Sequence, residues 1–222
     1  MEYIKGIDEC FTLSKVEVED LYKSVEFSIL TNYHNYNQTI NPFDLEHDIT
    51  VSYNKELDFF ENAFYYAILA EGDILGTIRV VKWDHTTVLT MEEIYGISVE
   101  EILKDYNSNK TIWHIGRFAI DSKTRHNLSS QLLKMLLMYA IEPICQNQNS
   151  IALAECDTRL LKIINKLGIR TKTLADSVLY LGSKTVPILS ERTDLIQFYN
   201  KNIKLLDQQF NTNISYEVQE QS

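Results

Sequence analysis

Apolar positions along this chain switch between two spacings, and each switch marks an element. Val18, Leu21, Tyr22, Val25 and Ile29 recur three and four residues apart, which predicts a helix running to about residue 30. Ser14 and Glu17 precede it with the spacing of a capping box, in which hydroxyl and carboxylate satisfy the first free amides. Residues 31–56 are polar and aromatic without a clear period, contain Asn41-Pro42, and read as a long loop. Residues 63–70 and 74–81 are apolar runs around Glu71-Gly72-Asp73, the pattern of a β-hairpin. Thr90 and Glu93 form a second capping box that opens a helix to about residue 104.

The second half alternates strand and helix. Residues 111–120 read as a strand, 127–141 as a helix ended by Pro143, and 150–156 as a strand. Asp157 suits the N-cap of a helix over 158–167, and Gly168 its C-terminal cap. Residues 178–182 and 184–189 pair around Gly182-Ser183, and 193–206 form a last amphipathic helix. The order α, ββ, α, β, α, β, α, ββ, α predicts a mixed α/β (α+β) domain over residues 1–210, followed by a polar tail at 211–222.

Composition adds bounds. The chain has 222 residues, 45% hydrophobic and 23% charged, which suits one globular domain with a sizeable core. Cys10, Cys145 and Cys156 match no zinc or redox spacing and read as reduced thiols, so no metal and a cytoplasmic location are expected. The first eight residues carry charges without an apolar segment, and no run approaches the roughly 20 residues of a membrane span. A net charge of −10 gives no support for nucleic-acid binding.

Chemistry concentrates after the strand at 111–120. A polar turn holding Arg125 leads into a helix with Leu128, Leu132, Leu133, Leu136 and Leu137 at helical spacing. The first amides of a helix lack internal partners and favour anions. His126, Asn127, Ser129 and Ser130 stand at that end, and Arg125 adds a fixed charge, together a candidate diphosphate cradle. An ordinary capped helix with a surface arginine has the same local pattern.

These residues resemble the coenzyme-A motif of the GNAT acyltransferase superfamily, hydrophobic-x-Asp/Pro-x-x-Arg-Gly-x-Gly-x-Gly/Ala-x-x-Leu. Ala119, Ile120, Asp121, Arg125 and Leu133 fall in register, while His126, Leu128 and Ser130 replace glycines. The resemblance runs from about residue 64 to 189. It implies a three-layer fold, with a twisted, mostly antiparallel central sheet flanked by helices. The long connection from residue 82 to 110 is similar to that of the acyl-homoserine-lactone (autoinducer) synthases and N-acyl amino acid synthases. Their Trp-Glu-x-Ser-Arg-Phe-x-Val strand is matched by Trp113, Arg117, Phe118 and Ile120, with His114 for the glutamate and Gly116 for the serine. Arg79 matches the arginine of the preceding strand.

The resemblance implies an N-acyltransferase that moves an acyl group, fatty in this branch, from acyl-coenzyme A or an acyl carrier protein to the amine of an amino acid or related small molecule. A short-chain acetyltransferase and a non-catalytic acyl-binding module are the competing readings. His114 is a candidate base, since histidine titrates near about 6.5, or else a strand histidine in a polar core. Backbone amides of Phe118, Ala119 and Ile120 are the implied oxyanion donors. Arg79 and Arg117 can grip an acceptor carboxylate, or form ion pairs with Asp58, Glu61 or Glu155. Asp58 and Glu61 also match the spacing of the branch's acidic acceptor-binding element, with Glu46 and Asp48 as the competing pair, and Trp113 and Glu155 are further candidate substrate-binding residues. Arg159, Lys162, Lys166, Arg170 and Lys172 form a basic cluster suited to an acidic carrier protein, or simply a solvated helix face.

Overall fold

The computed structural model describes residues 1–7, 11–36, 41–106, 110–121, 124 and 126–207. The strands are β1 (Glu2–Gly6), β2 (Phe11–Lys15), β3 (Ala63–Ala70), β4 (Asp73–Lys82), β5 (Thr111–Ile120), β6 (Ser150–Asp157), β7 (Lys172–Thr173), β8 (Val178–Tyr180) and β9 (Ser183–Glu191). The helices are α1 (Val18–Asn35), α2 (Pro42–Phe59), α3 (Thr90–Tyr95), α4 (Val99–Asp105), α5 (His126–Gln146), α6 (Thr158–Lys166), α7 (Arg192–Asn202) and α8 (Lys204–Asp207). Among the described residues the strands form one sheet in the order β1-β2-β3-β4-β5-β6-β9-β7, with β8 paired to β9. Each pairing is antiparallel except β5 with β6. This is the three-layer, mostly antiparallel α/β arrangement that the resemblance implied.

Strand alternation assigns the two faces. Ile78, Val80, Trp113, Ala152 and Ile188 bury one face against Leu132, Leu136 and Ile144 of α5 and Leu195 and Phe198 of α7. On the other face Val81, Ile112, Ile151 and Leu153 pack with Leu89, Met91, Val99 and Leu103 around α3 and α4. Tyr65 and Ala67 meet Leu21, Val25 and Ile29 of α1 and Ile49 of α2. Helices α1 and α2 therefore cover the middle of the sheet, over β3 to β5.

Several expectations change. Ser14 is not a helix cap: it is buried in β2, paired with Ala67, and Glu17 occupies the N-cap of α1 without a side-chain bond. The expected loop at 31–56 is the end of α1, residues 37–40 outside the description, and then α2, N-capped by the Asn41 side chain with Pro42 at its start. The expected helix at 90–104 divides at Gly96, and its cap is Glu92 accepting from the Leu89 amide at 2.8 Å, not Thr90 with Glu93. Pro143 lies inside α5. The strands β1, β2 and β7 were not read from the pattern. Asp157 does cap α6, accepting from the amides of Arg159 and Leu160. The tail from residue 208, including 211–222, and Cys10 lie outside the described residues. Among the described residues no helix is long and apolar enough to cross a membrane, and no metal-ligating group of three or more His, Cys, Asp or Glu converges.

Candidate active site

The site begins with an irregularity in β5. Arg79 pairs with Gly116 and Thr77 with Ala119, so β5 carries one residue more than β4 over this interval. The extra residue is a bulge, and Arg117 takes a left-handed φ of 52° within it. Thr77 Oγ1 donates to the Arg117 carbonyl at 2.9 Å, partnering an oxygen that the bulge removes from the ladder. Without the bulge, alternation puts Arg117 opposite His114 in face. With it, Arg117 reaches the same carboxylate as Arg79.

The bulge also ends the parallel pairing of β5 with β6. The ladder runs from Thr111↔Ser150 to Ile115↔Ala154 and stops, although both strands continue. A wedge opens between them. The Asp121 amide donates to the Leu75 carbonyl, so Asp121 and Ala119 direct their backbone groups at β4. Phe118 and Ile120 then direct theirs away from β4, into the wedge.

A cavity of about 1180 Å³, counting open space at its mouth, passes through this wedge. Its two walls differ. On the α5 side it is lined by Leu137, Ile141, Ile164, Ile169, Ile188 and Leu195. On the α1 and α2 side it is lined by Asn32, Glu56, Arg79, His114, Arg117, Glu155 and Tyr180.

The polar wall is one connected network. Glu56, 1% exposed, accepts from Arg79 Nη1 at 3.0 and 3.2 Å, from Arg117 Nε at 2.6 Å and from the Tyr65 hydroxyl at 2.7 Å. Burial alone raises the pKa of Glu56. The two guanidiniums outweigh burial and, with the Tyr65 hydrogen bond, bring it from 4.5 down to about 2. Burial and the Glu56 charge push the Tyr65 phenol up. Arg79 Nη2 also meets His114 Nδ1, and its guanidinium lies 4.8 Å from the Phe59 ring centre. His114 Nε2 lies 2.9 Å from Glu155 Oε2. Burial raises the Glu155 pKa, but the interaction with His114 overrides it and leaves the carboxyl lowered.

Gly116 is required by this packing. A β-carbon there stands 2.6 Å from Arg79 Nη2, which meets His114 while Nη1 of the same guanidinium is held by Glu56. The serine of the resembled motif does not fit beside this arginine.

The structure thus brings together Arg79, His114, Arg117, Phe118 and Glu155. Glu61 and Asp58 are exposed and do not line the cavity, and neither partners the arginines. Glu56, in the segment expected to be a loop, takes that part. Trp113 is buried in the α5 core, its Nε1 donating to Ser150 Oγ at 3.3 Å. Leu128 is also buried in that core, and Ser130 is exposed. Arg125 and the side chains of His126 and Asn127 lie outside the described residues. In the basic cluster, Arg159 donates to the Asn35 carbonyl at 3.0 Å and stacks on Tyr36, and Arg170 pairs with Asp194 at 3.0 Å. Lys162, Lys166 and Lys172 are exposed.

The family described as N-acyl amino acid synthase FeeM matches residues 33–187, well over half of the chain. The fold is similar to FeeM, an N-acyl amino acid synthase from uncultured soil microbes, with a TM-score of 0.56 at 15% identity, covering 82% of this chain and 91% of that one. It is similar to the AHL synthase LasI, with a TM-score of 0.51 at 15% identity, covering 86% and 94%. It is also similar to the PaiA N-acetyltransferase from Thermoplasma acidophilum in complex with coenzyme A, with a TM-score of 0.51 at 13% identity, covering 82% and 98%. No curated protein gives a significant sequence match.

Proposed function

We propose, for a chain that belongs to the FeeM family of N-acyl amino acid synthases, that the group it transfers is a fatty acyl chain and the acceptor a small amino acid or a close relative. The protein is an N-acyltransferase. The observation that carries the finer reading is the cavity with two unlike walls.

The apolar wall reaches from Leu137 and Ile141 to Ile188 and Leu195, deep between the sheet and α5. An acetyl group has no use for that depth, whereas each buried methylene of a longer chain gains about 0.8 kcal/mol. The wedge supports a thioester at the boundary between the walls. There the backbone amide of Phe118, which lines the cavity, suits the oxyanion formed when an amine attacks. On the polar wall, Arg79 is held by Glu56 through Nη1 and by His114 through Nη2 and acts as a pillar. Arg117 spends Nε on Glu56, and its remaining nitrogens suit an acceptor carboxylate. The donor's phosphates belong at the start of α5, with Arg125 as their cation. The exposed Lys162 and Lys166 suit an acidic carrier protein.

The test is a product survey. The purified chain is incubated with acyl-coenzyme A donors from acetyl to palmitoyl, and with the same acyl groups on carrier protein, each with a panel of amino acids. Thiol release and mass spectrometry report turnover. Long-chain N-acyl amino acids are the expected products. Acetyl transfer without long-chain product overturns the reading.

A further inference from the structure

One carboxylate in the cavity wall is only half engaged. The Glu155 side chain is 8% exposed, its Oε2 is held by His114, and its Oε1 accepts no hydrogen bond from another residue among the described ones. Leaving a buried acceptor unpaired costs about 1–3 kcal/mol, more for a charged group, so such an oxygen calls for a use.

Arg79 fixes the proton on His114. A guanidinium only donates, so Nδ1 must meet Arg79 with its lone pair. The ring proton then sits on Nε2 and is donated to Glu155. Both ring nitrogens are thereby committed, and His114 keeps no lone pair with which to take a proton from a substrate. Glu155 does, at Oε1, and it lines the cavity next to the wedge.

We propose that Glu155 docks the acceptor amine and takes its proton, and that His114 is a positioning residue that holds the carboxylate. The proposal rests on the acyltransferase reading. The amine nitrogen attacks the thioester carbon, a C–N bond forms, and the carbonyl electron pair moves onto oxygen. The nitrogen, now cationic and acidic, passes a proton to Glu155 Oε1. The carbonyl re-forms, the C–S bond breaks, and the departing sulfur takes the proton from Glu155 and leaves as thiol. Amine plus thioester become amide plus thiol, with nothing else consumed.

The test compares wild type, Glu155→Gln, His114→Ala and His114→Gln, each first checked for cooperative unfolding. Each is assayed with the best donor and amino acid from the survey, and with hydroxylamine, a weakly basic amine whose nitrogen sheds its proton to water once it has attacked. Glu155→Gln is expected to lower kcat for the amino acid by about 10²–10⁴-fold, the range of general-base catalysis, and to affect hydroxylamine far less. His114→Ala is expected to behave like Glu155→Gln. His114→Gln, whose amide can accept from Arg79 and donate to Glu155, is expected to recover at least about tenfold over His114→Ala. Glu155→Gln within about threefold of wild type overturns the proposal, as does an equal loss with both nucleophiles. A His114→Gln no better than His114→Ala transfers the role to His114 and also overturns it. A wild type that forms no amide from any pair overturns the acyltransferase reading itself, and so is distinct from these results.

Discussion

Glu56 offers the sharpest quantitative test of the polar wall. Glu56→Gln keeps the size of the side chain and removes the charge that faces both Arg79 and Arg117. The pKa displacement from 4.5 to about 2 corresponds to roughly 3 kcal/mol of folding stability, at about 1.36 kcal/mol per unit. Breaking a buried ion pair on one side costs about 3–5 kcal/mol, which agrees. For a domain of this size, about 2–4 °C is lost per kcal/mol, so the Tm is expected to fall by about 6–12 °C or more. The sign with pH follows from the depressed value. A carboxylate that titrates lower in the folded state contributes its full stability above pH 4.5 and loses it as pH falls towards about 2. Urea unfolding of both proteins therefore gives a wild-type advantage that shrinks by roughly 1 kcal/mol between pH 7 and pH 4. An advantage below about 1 kcal/mol at pH 7, or one that does not change over this pH range, refutes the reasoning.

Other expectations follow from single contacts. Gly116→Ala puts a methyl group against Arg79 Nη2 and is expected to cost about 1–3 kcal/mol in denaturant unfolding and to abolish most turnover. Gly182→Ala places its β-carbon 2.8 Å from the Tyr33 ring at a φ of 81°, so the β8–β9 tip must lift away from α1. A loss of about 1–3 kcal/mol is expected, together with a raised KM for the acceptor. Arg117→Ala is expected to raise the acceptor KM far more for amino acids than for amines without a carboxylate. The double variant Lys162→Glu, Lys166→Glu is expected to raise KM for acyl carrier protein about tenfold at low salt while leaving acyl-coenzyme A unaffected.

The sequence made the second half of the fold readable because its apolar periods are strong. The strands at 63–70 and 111–120 and the Asp157 cap were legible from alternation and local chemistry. Helix α2 was not. Its inward face is Ile49, Ser52, Glu56 and Phe59, spaced as a helix should be, but two of the four are polar. A search for apolar periodicity passes over such a face, and with it passed over Glu56. The Asn41 cap with Pro42 was the signal that could have found the helix. Ser14 misled for a related reason: its spacing to Glu17 suits a cap, but pairing with β3 outweighs that local preference. Arg79, His114, Arg117 and Glu155 could be named from resemblance and strand position. Their arrangement could not, because one extra residue in β5 inverts the face of Arg117.

That bulge also sets how close the enzyme lies to an inert relative. In-frame deletion of the Arg117 codon leaves Arg79↔Gly116 and Thr77↔Ala119 with equal chain between them, so the β4–β5 ladder heals without moving either flank. Nothing then stops β5 from zipping onto β6 past Ile115. The expected product of this smallest lesion is a folded, regular sheet with no passage through it, and thiol release at background. Activity is thus expected to depend on a fault in the sheet, one residue long, at Arg117.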